Sequence, residues 1–128
     1  MATASSDRQG RRSAPETVDT RSDTGVDGRV YAVSFARVWD QLVAEVDERT
    51  RWELIHRDED LGLITVACRG ILPGRTDDLT IWVRLDRNGL TRVDVRSESR
   101  SRSAGERRIR ELMERLDRGL GPDARVRG

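Results

Sequence analysis

Apolar residues are scarce over the first 28 positions, a stretch dominated by Ser, Thr, Asp, Gly and Arg, and then recur with two distinct periods. A segment with so little to bury cannot offset its ordering entropy, so residues 1–28 are expected to form a disordered polar tail. From Gly28 the run GRVYAVSF alternates and is rich in β-formers, after which Phe35, Val38, Trp39, Leu42, Val43 and Val46 repeat at helical spacing. Ser34 stands where an N-cap belongs, with a hydroxyl for the first free amides, so a helix is predicted over about 35–49. TRWELIHR and GLITVACRGIL are two β-rich runs joined by DEDLG, a short polar connection that suits a hairpin. LPGRTDD breaks the chain again. In LTIWVRL, Leu79, Ile81, Val83 and Leu85 alternate with Thr80, Trp82 and Arg84. Asn88-Gly89 predicts a tight hairpin with a type I′ turn, which needs positive φ at both central positions. Its second strand is TRVDVRS, with Val93 and Val95 inward and Arg92, Asp94 and Arg96 outward. Ile109, Leu112, Met113, Leu116 and Leu120 form the apolar stripe of a final helix. Ser103 and Glu106 have the spacing of a capping box at its start, and GLGPD stops it. Residues 122–128 are expected as a flexible end.

The predicted order is β-α-β-β-β-β-α. Strands with one apolar face and helices with one apolar stripe are satisfied together when both helices cover the same face of an antiparallel sheet. The expected fold is an α+β two-layer sandwich over residues 29–121, a single domain whose other sheet face is bare.

Composition narrows the function classes. The chain is 37% charged yet has a formal charge of only +1, so no long-range field drives it onto nucleic acid or membrane and any basic behaviour is local. Its 24 basic residues are all arginine. The single cysteine, Cys68, excludes an intrachain disulfide, and one histidine leaves no Cys/His set with metal-ligand spacing. A reducing compartment fits, and the polar start resembles neither a secretory signal nor a membrane anchor, so a cytoplasmic location is expected with no membrane partner. No cofactor motif is present.

The segments DDLTIWVRL, TRVDVRSESR and RRIRELMERL resemble the bacterial family called domain of unknown function 1499, over roughly residues 29–118. The most specific part is an Arg-Ser-x-Ser-Arg motif at Arg96, Ser97, Ser99 and Arg100, followed by Arg108-Ile109, with Asp77-Asp78 matching ahead of the strand. The loop between the two arginine motifs, SRSAGER, is shorter than the family pattern and lacks its Asp-x-Gly-x-Asn. The resemblance implies the fold and, since that family has no established activity, implies no chemistry.

Two groups of residues invite a functional reading. Trp82 points away from the core between Thr80 and Arg84, and with Arg84, Arg92, Arg96 and Arg100 it forms a candidate binding face on the bare side of the sheet. Ile55, Leu63 and Ala67 extend that face if their strands keep phase. An outward tryptophan among arginines is a common anchor at binding hot spots, although the polar tail or a self-dimer would also cover it. The second group is a candidate anion cluster of Arg102, Arg107 and Arg108 beside Arg96 and Arg100, where the N-terminus of a helix offers free amides and a positive dipole end. Pairing with Glu98, Glu106 and Glu111 would explain the same arginines without a ligand. The serines of RSESRSRS are also potential phosphate acceptors. With aromatic content of only 4%, stacking of single-stranded nucleic acid has little support.

The remaining residues read as structure. Trp39 lies on the helix stripe, and Trp52 shares a strand phase with Leu54 and His56. Cys68 is in phase with Ile64 and Val66 and reads as a small buried hydrophobe. Asp58-Glu59-Asp60 and Asp77-Asp78 read as solvated loop residues without the order of a calcium loop. No nucleophile elbow or phosphate-cradling glycine loop is present, so no catalytic residues are assigned and an enzyme using Cys68 or His56 is the remote reading. The leading expectation is a non-enzymatic interaction module that binds a protein partner or itself through the open sheet face; the alternative is an anion or nucleic-acid binder using the arginine cluster at 96–108.

Overall fold

In the computed structural model, which describes residues 27–70, 76–99 and 101–126, the apolar stripes and alternations resolve into two helices and six strands. Nearly all of the expected polar tail, the Pro-Gly break at 71–75, Arg100 and the last two residues lie outside the described residues. Strand β1 (Asp27–Tyr31) leads to helix α1 (Phe35–Asp47), and the Ser34 hydroxyl caps α1 by accepting from the Arg37 amide. Strands β2 (Trp52–Asp58), β3 (Leu63–Arg69), β4 (Thr76–Leu85) and β5 (Thr91–Glu98) follow, then α2 (Arg102–Leu120) and β6 (Arg125–Val126).

The strands form one antiparallel sheet in the order β2-β3-β4-β5-β1-β6. Register aligns the apolar positions of neighbouring strands: Ile64 pairs with Ile81 and Ile81 with Val95, while Val83 pairs with Val93. These side chains, with Val66, Cys68 and Leu79, meet the stripes of both helices in one buried cluster that contains Val38, Trp39, Leu42 and Val46 of α1 and Ile109, Leu112, Met113 and Leu116 of α2. Both helices therefore cover the same face, giving the α+β two-layer sandwich. Each fully buried Val, Leu or Ile contributes roughly 1.5–3 kcal/mol, so this shared layer outweighs any surface contact in fixing the arrangement.

Four local expectations are corrected. No strand is expected after residue 121, but Arg125 and Val126 pair with Tyr31 and Val30 to add a sixth. The cap of α2 is Ser101, whose hydroxyl accepts from the Ala104 amide, so Ser103 and Glu106 do not form the capping box and Glu106 instead faces Arg102 within the first turn. The β4–β5 hairpin forms, but its turn closes one residue earlier than a two-residue Asn-Gly turn: the Gly89 amide donates to Asp86 O, and Gly89 supplies a left-handed φ of 76° ahead of Leu90. The Asp86 carboxylate holds that frame by accepting from the amides of Asn88 and Leu90. Finally, Asp58 ends β2, and Asp77 and Asp78 belong to β4 instead of a loop.

Candidate binding face

Strand phase decides what the uncovered side of the sheet presents. Across the β4–β5 ladder the outward pairs are Asp78 with Glu98, Thr80 with Arg96, Trp82 with Asp94, and Arg84 with Arg92. On β3, Leu63 lies beside Trp82, Thr65 beside Thr80 and Ala67 beside Asp78. Trp82 is 38% exposed in the middle of this surface. Trp82, Arg84, Arg92 and Arg96 thus share one face, as strand alternation predicts. Arg100 of the same candidate set lies outside the described residues.

The arginines differ in what they touch. Arg84 and Arg92 stand directly opposite one another, a repulsive cross-strand pair unless a counter-charge intervenes. Asp94 supplies it: Arg92 Nε donates to Oδ2 at 3.0 Å, and Arg84 Nη2 lies 3.6 Å from the same oxygen. Gly28 of β1 makes room for this group, since a Cβ there would sit 2.4 Å from Arg92 Nη2 and 2.6 Å from Asp94 Oδ1. Two guanidinium groups therefore share one carboxylate and keep donors facing solvent. Arg96 is exposed and makes no ion pair with a described residue, and the same holds for Asp78 and Glu98.

A bulge reshapes the β2 side. Leu54 pairs with Val66 but His56 pairs with Thr65, so Ile55 is an extra residue and every side chain beyond it changes face. His56, expected in phase with Trp52 and Leu54, instead joins the row of Thr65, Thr80 and Arg96 and is exposed. Arg57 turns to the helix side, where with Trp39, Asp40, Val43 and Glu59 it lines a hollow of about 400 Å³.

The arginines expected to form an anion cluster differ in their partners, and Arg100 lies outside the described residues. Arg108 forms a largely buried ion pair with Asp77, whose carboxylate also accepts from the Ser99 hydroxyl at 3.0 Å. Arg102 Nε lies 3.5 Å from Glu106 Oε2, and Arg107 is exposed without an ion pair to a described residue. The hollow at this end of α2, about 210 Å³, is lined by Ser97, Glu98, Ser99, Ser101, Arg102, Gly105 and Glu106. Two carboxylates and one guanidinium around it offset the positive helix end.

Cys68 is fully buried among aliphatic side chains, and that burial pushes its thiol up to about 12, which leaves almost no thiolate near neutrality. One polar centre was not anticipated. Asp117, on the flank of the α2 stripe, accepts from the Tyr31 hydroxyl at 2.6 Å and from Arg29 Nη1 at 2.8 Å, and Arg125 Nη1 approaches to 3.5 Å. It ties β1 and β6 to α2, and burial together with this carboxylate raises the Tyr31 pKa well above the usual phenol range. A polar residue on the edge of an apolar stripe was the available signal. Among the described residues no group of three or more His, Cys, Asp or Glu is placed to hold a metal ion, and no helix is long and apolar enough to cross a membrane.

No curated protein matches the chain. A family model described as a protein of unknown function (DUF1499) matches residues 4–116, a span that contains β1 to β5 and most of α2. The open face, the Asp77–Arg108 tie and the serine-rich turn between them all fall within the matched span, and the chain belongs to this family, DUF1499.

Proposed function

We propose that the protein is a non-enzymatic interaction module that engages another protein surface through the open face of its sheet, centred on Trp82. The observation that carries this reading is the half-exposed indole of Trp82 beside Leu63, on a face that no helix of the described chain covers. An indole left in water gives up apolar burial, and tryptophan flanked by arginine is the pairing most enriched where binding energy concentrates. Arg96, Arg84 and Arg92 rim it with unspent hydrogen-bond donors. The buried, protonated Cys68 and a His56 with no carboxylate partner among the described residues offer no activated nucleophile or base, which supports binding over catalysis. The carboxylates beside the α2 N-terminus weigh against a free anion as the main ligand. A lone cysteine fits a reducing compartment, so the partner is to be sought in the cytoplasm.

The test is site-specific photo-cross-linking in cells that express the full chain. A cross-linking residue at Thr80 should give a discrete protein adduct, of the chain with itself or with another protein, and Trp82→Ala should remove it. The same probe at Glu114, exposed on α2, should give none. A Thr80 probe that traps nothing, or an adduct indifferent to Trp82→Ala, would reject the reading.

A further inference from the structure

Down the β4–β5 ladder the open face carries a charge sequence that is reversed in sign about its own midpoint. The four outward rows are Asp78 with Glu98, Thr80 with Arg96, Trp82 with Asp94, and Arg84 with Arg92. Their formal charges run minus two, plus one, minus one, plus two. We infer that the occupant of this face is a second copy of the same chain, stacked sheet on sheet about a two-fold axis that lies between the copies, perpendicular to the strands and level with the gap between the Thr80 and Trp82 rows. This rests on the open-face reading above and names its partner.

The geometry follows from the operation. Rotation about that axis keeps each strand over its own counterpart and reverses its direction, so the first row of one copy lies over the fourth row of the other and the second over the third. Asp78 and Glu98 then meet Arg84 and Arg92 of the second copy, and Arg96 meets Asp94. Each contact occurs twice, as an isologous interface requires. Asp78, Glu98 and Arg96 have no ion pair with a described residue, while Arg84 and Arg92 share Asp94 alone, which would take Arg96 of the second copy as a third partner. Trp82 and Thr80 of the two copies stack at the centre, where the indole finds the apolar cover it lacks in one chain. Packed sheets keep their strands within about 30° and lie about 10 Å apart, a gap that arginine and glutamate side chains bridge from opposite sides. All eight positions point away from the core, so core burial does not set their charge order.

The footprint is small. Four rows at about 7 Å and four strands at about 4.8 Å cover roughly 540 Å² per copy, below the usual size of a stable interface, so the dimer is weak, reversible and sensitive to salt.

Sedimentation equilibrium of the full chain up to about 1 mM should show the average mass rising toward twice that of the monomer in low salt, and the association should weaken at least tenfold at about 0.5 M salt. Charge reversal supplies the decisive arm. The double variant Arg84→Glu/Arg92→Glu places acid against acid at both ends, and Asp78→Arg/Glu98→Arg places base against base, so each alone should be monomeric. An equimolar mixture should associate, because every end then meets its opposite, and this recovery also shows that both variants fold. Should either fail to fold, Trp82→Ala decides, with an expected tenfold or greater loss of association. A wild-type chain that stays monomeric throughout, a mixture of folded variants that does not associate, or association untouched by Trp82→Ala overturns the proposal. If the chain is monomeric while the Thr80 probe traps a different protein, the second copy is rejected and the open-face reading stands; if the probe traps nothing, both fall.

Discussion

Arg108, in the second turn of α2, donates to the carboxylate of Asp77 near the start of β4, and both side chains are largely shielded from water. The pair joins the last helix to the sheet beside Cys68 and holds the Arg-Ser-x-Ser turn through the Ser99 hydroxyl. Asp77→Ala leaves a guanidinium group without that carboxylate in a mostly dry site. Because the site keeps some solvent contact, the loss should fall below that of a fully buried pair, at about 2–3 kcal/mol. Urea unfolding should show a lower midpoint with an unchanged slope. A loss under about 0.5 kcal/mol would mean that the pair is no stronger than an ordinary surface bridge.

Gly105 of α2 packs tightly against Ser97 of β5. A Cβ there would lie 2.6 Å from Ser97 Oγ and 3.1 Å from Ser97 Cβ. Alanine normally gains about 1 kcal/mol over glycine inside a helix, but overpacking costs about 1–3 kcal/mol, so Gly105→Ala should be net destabilising by roughly 1–2 kcal/mol. The Ser97 hydroxyl is itself buried without a hydrogen-bond partner, so Ser97→Ala should be neutral or stabilising. It should also recover part of the Gly105→Ala loss. A double-mutant cycle by denaturant titration should return a coupling of at least about 0.5 kcal/mol; strict additivity would contradict the contact.

What could be read from residue order was the part governed by periodicity. Alternation over Leu79–Leu85 and Thr91–Arg96 set the inward aliphatics against Trp82 and the arginines, and two helical stripes demanded a common sheet face, so the two layers and the bare surface followed. Features decided by backbone events escaped. WELIHRD breaks its alternation at Leu54-Ile55, where an unpaired Ile55 turns His56 to the open face and Arg57 to the helix side. Serines at 97, 99, 101 and 103 offer several equivalent cap frames, and the choice of Ser101 depends on where Gly105 meets Ser97. Strand β6 is two residues long and carries no alternation. The charge order of the open face was present in the sequence as well, but it has meaning only once register places Asp78 opposite Glu98 and Arg84 opposite Arg92.

The absence of lysine makes the alkaline stability of this protein unusually simple. All 24 basic residues are arginine, which stays protonated throughout, and the chain has one cysteine and one tyrosine. Burial raises the Cys68 thiol from an ordinary 9.0 to about 12, and Tyr31, buried and donating to Asp117, is raised as well. For both groups the folded state holds its proton more tightly than the unfolded chain. The resulting stabilisation is complete below the unfolded pKa and is lost as pH rises toward the folded one. Cys68 therefore dominates between pH 9 and 10, where Tyr31 begins to contribute, and Tyr31 adds the rest of its share above about 10. Stability should fall by about 1.4 kcal/mol across that first unit, about 1 kcal/mol of it from Cys68 and about 0.4 kcal/mol from Tyr31. Urea midpoints at pH 8, 9 and 10 measure it. Cys68→Ala should start from a lower stability, because it opens a small cavity, but fall by only about 0.4 kcal/mol from pH 9 to 10, the share of Tyr31. A wild-type profile that is flat there, or a variant that keeps the slope, would show that the thiol titrates as freely in the fold as out of it.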